Sequence, residues 1–294
     1  MKKIIWIFFV IVLLIFSCNK SVKEPETRTQ RVFHTWNSLN EMEYRESVSH
    51  LILKEIISKQ DFFPWVGIVS HHILAHDYID AWFSFLARMR YVDTFFILSP
   101  DHYNVSLVPY SLTTGSWDSG FGMVESDFDR VLEIAKTLDV DLDHGAFIIE
   151  HGISSLMPYI KKYFPRAKTV SVIISGESQV NTYTMEFLSD ALKKYFNKEG
   201  KQNNFLIVSS DFSHGGNPEE TYKNDLQSEK YLNDSVNVSW NTVICDNRSG
   251  IYILDNLGKS NLISHILSHT NSFEISGVDE DITSYFFVYF EDGE

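Results

Sequence analysis

Short, unbroken apolar runs alternate along this chain with stretches whose apolar residues recur at helical spacing. Residues 65–70 (WVGIVS), 94–98 (TFFIL), 169–174 (TVSVII) and 205–209 (FLIVS) are the clearest runs. Runs of about four to eight apolar residues are what strands buried on both faces look like. Residues 284–290 (SYFFVYF) predict a closing strand rich in aromatics, and residues 105–112 a further one. Between them, residues 77–90 carry Ile79, Trp82, Phe83, Leu86 and Met89 on one helical stripe. Helices are likewise predicted around Phe128, Val131 and Ile134, over 149–163 with Phe164-Pro165 closing it, and over 179–196, 221–232 and 242–257. Strands alternating with helices predict an α/β layered sandwich with a mostly parallel central sheet. In such sheets ligands collect beyond the carboxyl ends of the strands.

The amino terminus has a different pattern. Lys2 and Lys3 precede an apolar run, 4–16, which ends at Ser17-Cys18 before polar sequence. This is the layout of a secretory signal peptide. The run is shorter than the roughly 20 residues a membrane span needs. The ending Ile15-Phe16-Ser17-Cys18 resembles a lipobox, where cleavage leaves a cysteine that carries acyl lipid such as palmitate. An uncleaved anchor helix is the alternative. The expectation is a signal peptide over 1–17, a lipid-attached tether and lead-in over 18–45, and one domain over 46–294. It places the protein in the bacterial cell envelope, facing the periplasm or the cell surface, with the membrane as its partner through lipid on Cys18. Residues 19–31 (NKSVKEPETRTQR) have the polar composition of a tether.

Charge then narrows the partners. The chain has 25 basic and 39 acidic residues and a net charge of −14. Loss of residues 1–17 removes Lys2 and Lys3 and no acid, which takes the net to about −16. A surface of that sign repels phosphate backbones and anionic headgroups, so no nucleic-acid partner is expected. With Cys18 carrying lipid, Cys245 has no disulfide partner. It is either a small buried hydrophobe or a metal ligand.

The residues just past each strand carry the chemistry. WVGIVS leads into His71-His72, TFFILSP into Asp101-His102, and FLIVSS into Asp211-Phe212-Ser213-His214. A sheet brings such ends to one crevice. His72 and His102 are therefore candidate metal ligands, with Asp101 and Glu150 as acceptors that would fix their tautomers. His71 is the rival to His72, since neighbours on an extended chain point oppositely. His214 reads as a general base or ligand oriented by Asp211, against the simpler reading of a helix cap. Glu150 at a helix start also suits the helix dipole. His265 and His269, four apart, read as surface or packing residues.

These junctions resemble, in order, the blocks of the Memo-like family, which includes the proteins called AmmeMemoRadiSam system protein B. The blocks are GIVSHH (67–72), FILSPDHY (96–103), GSWDSGFGMVESD (115–127), EHGISSLMPYI (150–160), TVSVIISG (169–176) and LIVSSDFSH (206–214), with VIC at 243–245 and SYF near 285. The resemblance implies a fold like the class III extradiol dioxygenases of the LigB-like group. It implies metal ligation by His72, His102 and Cys245, a cleft lined by Asp211 and His214, and iron or copper as the metal. In the dioxygenases a carboxylate stands where Cys245 does. Two departures stand out: the family's PHAGY reads His71-His72-Ile73-Leu74-Ala75, and the glycine after the cysteine is Asp246. The expected function is an envelope metalloprotein with oxygenase-like or other redox activity. The alternatives are a non-catalytic metal- or protein-binding module and a zinc-dependent hydrolase.

Overall fold

Alternate residues of the apolar runs face opposite sides of one seven-stranded sheet. The computed structural model describes residues 31–35, 62–175, 179–258 and 261–293. The expected signal segment, Cys18, most of the tether and the start of the domain lie outside the described residues. Among the described residues no helix is long and apolar enough to cross a membrane.

The strands are β1 (Val32–His34), β2 (Val66–Val69), β3 (Thr94–Pro100), β4 (Tyr110–Leu112), β5 (Ser116–Asp118), β6 (Met123–Val124), β7 (Lys168–Ile174), β8 (Asn204–Ser209), β9 (Leu262–Asn271) and β10 (Ser284–Asp292). The main helices are α1 (His76–Met89), α2 (Phe128–Leu138), α3 (His151–Ser154), α4 (Met157–Tyr163), α5 (Thr182–Lys193), α6 (Gly200–Asn203), α7 (Pro218–Asn233), α8 (Arg248–Gly258) and α9 (Ser272–Ser276). The large sheet runs β4-β7-β3-β8-β2-β10-β9, and β1-β5-β6 form a small second sheet. Val32–His34, expected within the lead-in, thus form a strand parallel to β5.

The period of two sets the layers. Phe95 and Ile97 of β3 and Phe205 and Ile207 of β8 pack with Trp82, Phe83, Leu86, Tyr159 and Ile160 from α1 and α4. Their neighbours Phe96, Leu98, Leu206 and Val208 enter the other layer, with Leu188, Leu192, Ile251 and Leu254 from α5 and α8. Each such buried side chain contributes about 1.5–3 kcal/mol. Gly67 is needed between the layers, because a Cβ there would come within 2.5 Å of the Trp82 ring and 2.7 Å of the Val288 carbonyl.

The sheet is mixed, which corrects the expectation of a mostly parallel one. β7, β3, β8 and β2 are mutually parallel. β4 is antiparallel to β7 on one side, and β10 and β9 are antiparallel on the other. A continuous run such as SYFFVYF reads the same in either direction, because burial on both faces leaves no periodicity to distinguish them. Its partner β9 is not legible in the sequence, because polar residues interrupt it. His265 and His269 lie on that strand and not on a helix. They meet Glu291 at 2.9 Å and Asp225 at 3.0 Å, and stack on Phe62 and Phe286.

Two helices differ from their expected extents in ways that shape the site. The 149–163 segment breaks into α3 and α4, and Pro158 occupies the first turn of α4, where its missing N–H costs nothing. The 242–257 segment turns helical only at Arg248. Before it, Asn247 Nδ2 donates to the carbonyls of Leu98 (2.9 Å) and Ser209 (3.0 Å), while its Oδ1 accepts from Gly250 N. That side chain ties the 245–247 turn to the ends of β3 and β8.

Candidate metal centre

The carboxyl ends of β2, β3 and β8 converge with the 245–247 turn and the start of α3. His71, just beyond β2, is buried. Its Nδ1 lies 3.0 Å from Ser209 Oγ. The Ser209 hydroxyl donates its one proton to the Gly152 carbonyl, so toward His71 it can only accept. The proton of neutral His71 therefore sits on Nδ1, and Nε2 carries a lone pair. That lone pair faces Asp246 Oδ2 at 3.3 Å and Asp211 Oδ2 at 3.6 Å.

His102, beyond β3, is held the same way. Its Nδ1 donates to Glu150 Oε1 at 2.6 Å, and its backbone N–H donates to Glu150 Oε2 at 3.1 Å. Nε2 is left facing Asp246 Oδ2 at 3.5 Å. Glu150 is also the N-cap of α3, accepting from Gly152 N at 2.7 Å, so the capping and orienting readings of this residue hold together. Gly152 allows the close packing: a Cβ there would lie 2.2 Å from Ser99 Oγ and 3.1 Å from His102 Cε1. Asp101, the other expected acceptor, instead organises its own loop by accepting from Val105 N and Ser106 N.

Asp246 is fixed at one oxygen only. Oδ1 accepts from the Ser210 hydroxyl (2.8 Å) and from Asp211 N (3.0 Å). Oδ2 is buried without a hydrogen-bond partner among the described residues. Asp211 in turn accepts from the Ser70 hydroxyl at 2.5 Å.

Two groups among the described residues have ligand atoms all within 4.8 Å of one another: His71, His102 and His151, and His71, Asp211 and Asp246. Of the residues singled out in the sequence, these include His102 and Asp211. His72 and Cys245 are in neither; His71, His151 and Asp246 enter instead. His72 turns the other way, stacked on Tyr285 with Nδ1 2.5 Å from its hydroxyl. Cys245 is partly buried against the apolar layer. His214 is exposed on the loop after Asp211. Alternation after a strand allowed His71 or His72 and could not choose. The signal for Asp246 was its place beside the cysteine, and for His151 its place beside Glu150.

The electrostatics reflect these contacts. Burial alone would lower the pKa of His102, but Asp246 and Glu150 overcome it and raise it to about 10. At His71 burial is likewise outweighed by Asp211 and Asp246, and the pKa is raised. His151 is pushed down to about 3 by burial and by the positive charge of His71 and His102. Asp246 is held below the usual carboxylate range, because the two imidazoles outweigh its burial. Burial, then the Asp246 charge, pushes the Cys245 thiol up to about 12.

A mixed α/β sandwich with a cluster of histidines and carboxylates at its strand ends defines a candidate metal-binding protein. The family model described as Memo-like protein matches residues 64–286, and the chain belongs to that family. Among its relatives, a MEMO1 family protein of Sulfurisphaera tokodaii is 26% identical over 240 residues, covering 78% of this chain and 81% of the relative. One of Pyrobaculum aerophilum is 26% identical, covering 72% and 78%. One of Saccharolobus islandicus is 24% identical, covering 76% and 79%.

Proposed function

We propose that this chain is an envelope-anchored Memo-like protein that binds a redox-capable metal, iron or copper, between His71 and His102. One observation carries the reading. Two imidazoles from different strand ends have Nδ1 committed to protein acceptors, and both aim Nε2 at a carboxylate oxygen with no hydrogen-bond partner among the described residues. Three electron pairs facing one point repel one another unless a cation lies between them. Protons on the imidazoles meet that need in the metal-free protein; a metal ion meets it with directed bonds.

The bound metal would supply Lewis acidity and an electron-transfer centre. The residues around it supply position and proton handling. Glu150 and Ser209 hold the two imidazoles in the tautomer that leaves Nε2 free. Asp211, pinned by Ser70, flanks His71. His214 stands on the exposed side of that loop, where a base can exchange protons with water and with a ligand in the cleft. The activity that fits is oxygenase-like or otherwise redox. The envelope location rests on the 1–17 signal pattern and on Cys18 as the lipid-bearing residue.

A second reading has its own support. His71, His102 and His151 form one group of close ligand atoms and His71, Asp211 and Asp246 another, so protein donors beyond three surround His71, and a fully ligated ion is structural rather than catalytic. Metal analysis of the protein purified anaerobically from its native membrane decides the main claim. Stoichiometric iron or copper is expected. Zinc would turn the reading toward hydrolysis, and absence of any transition metal would overturn it. A Cys18→Ala form is expected to leave the membrane fraction; membrane retention with normal acylation would remove the anchoring claim.

A further inference from the structure

We infer that the third protein ligand is the carboxylate of Asp246 and not the thiolate of Cys245, giving a two-histidine, one-carboxylate centre that takes iron(II), or another divalent cation of its kind, in preference to copper(I). The inference rests on the metal-binding reading above and narrows it.

The geometry around Asp246 is that of a ligand held ready. One oxygen is consumed by the Ser210 hydroxyl and the Asp211 N–H. Asp246 N also donates to the Asp211 carbonyl at 3.0 Å, so the residue is fixed to the β8 end at its backbone as well. Those bonds leave Oδ2 no rotational choice. It is enclosed and charged, has no hydrogen-bond partner among the described residues, and faces both imidazole Nε2 atoms, an arrangement that requires positive charge between them, from protons or from a metal ion.

The separations suit a shared ion. Ligand–metal bonds of about 2.0–2.1 Å place two donors about 3.0 Å apart at right angles and about 3.4 Å apart at the tetrahedral angle. The two imidazole–carboxylate separations are 3.3 and 3.5 Å. Each imidazole can therefore share an ion with Asp246. His151 Nδ1 lies 3.3 Å from the Tyr103 hydroxyl on the open side, where a further donor or a substrate atom would approach.

Cys245 is placed otherwise. It is next to Asp246 in the chain, yet it packs against the apolar layer that holds Val243, Ile251 and Leu254. The Asn247 bonds to Leu98 and Ser209 hold the turn in this orientation. The Cys245 sulfur is in neither group of mutually close ligand atoms among the described residues, whereas Asp246 Oδ2 faces both imidazoles. With oxygen in place of sulfur the site loses the soft donor that favours copper(I). It gains the ligand set of non-haem iron(II) centres, which leaves coordination positions open to substrate.

The test uses the full chain loaded anaerobically with cobalt(II), whose absorption reports thiolate ligation, together with iron(II) and copper(I) titrations. Cobalt-loaded parent protein is expected to lack the near-ultraviolet thiolate-to-cobalt charge-transfer band. Cys245→Ser should bind cobalt(II) and iron(II) within about twofold of the parent. Asp246→Asn should weaken both by about 100-fold or more, above the ~10–100-fold typical of residues that only orient ligands. Asn keeps the Oδ1 acceptor for Ser210 and Asp211, so a native circular dichroism spectrum certifies that the variant folds. A thiolate band that disappears in Cys245→Ser would overturn the assignment while leaving the metal-centre reading intact. Failure of the parent to take up any of the three ions would remove both.

Discussion

Glu150 and His102 are joined twice, Oε1 to the imidazole Nδ1 at 2.6 Å and Oε2 to the backbone N–H at 3.1 Å. One carboxylate thereby fixes both the position of the β3 end and the rotation of the ring beyond it. Replacing Glu150 by Gln keeps the size and removes the charge. The amide can still accept from the His102 ring or backbone, but not with the strength of a charge-assisted bond. Iron(II) or zinc(II) affinity should fall by ~10–100-fold, with a stability loss of about 1–3 kcal/mol. Isothermal titration and urea unfolding of the variant measure the two effects; unchanged affinity would remove Glu150 from the site.

The neighbouring histidines are expected to separate in function. His71→Ala should abolish detectable metal binding, since it removes a donor shared by both ligand groups. His72→Ala should alter affinity by less than about tenfold, the lower end of the effect of an outlying residue. Its ring instead stacks on Tyr285. The reverse order of effects in parallel titrations would restore His72 as the ligand.

The metal-free protein should lose stability as pH rises. The pKa of His102 is raised from 6.5 to about 10, with burial opposing and Asp246 and Glu150 prevailing. His71 is raised too, with burial opposing and Asp211 and Asp246 prevailing. A group whose folded pKa is raised contributes stability fully below its unfolded pKa and loses it through the folded one. The decline should therefore run from about pH 6.5 to about pH 10. Metal affinity should rise over the same interval, because Nε2 must release its proton to bind. Urea unfolding with and without metal, across that range, gives both curves. Parallel curves would show that the imidazoles are not the groups at which proton and metal compete.

Asn247 is the strut of the turn. Asn247→Ala removes both bonds to the Leu98 and Ser209 carbonyls and the bond from Gly250 N. Leaving these buried groups unpaired should cost about 2–4 kcal/mol. The loosened turn should also bind metal more weakly. Chemical denaturation measures the first, and a ΔΔG under about 0.5 kcal/mol, the range of an indifferent surface change, would show the turn to be held by other means.

The sequence by itself determined the layered α/β architecture, the four central strands and the gathering of histidines beyond them. Burial on both faces writes each central strand as an apolar run, and polar residues begin where the run ends. It also carried the family, through blocks in a fixed order. It did not determine the direction of β10 or the existence of β9, because continuous apolarity is the same for parallel and antiparallel pairing and β9 is polar along much of its length. It pointed to His72 and Cys245 at the centre, whereas the groups of close ligand atoms contain His71 and Asp246. Each difference is a rotation of one side chain relative to its neighbour. Those rotations are set by contacts with distant residues: Ser209 and Gly152 for His71, Tyr285 for His72, and Ser210, Asp211 and Asn247 for the turn that presents Asp246. Such partners lie far apart in the chain and meet only when the sheet assembles, so only the tertiary structure could decide which atoms face the centre.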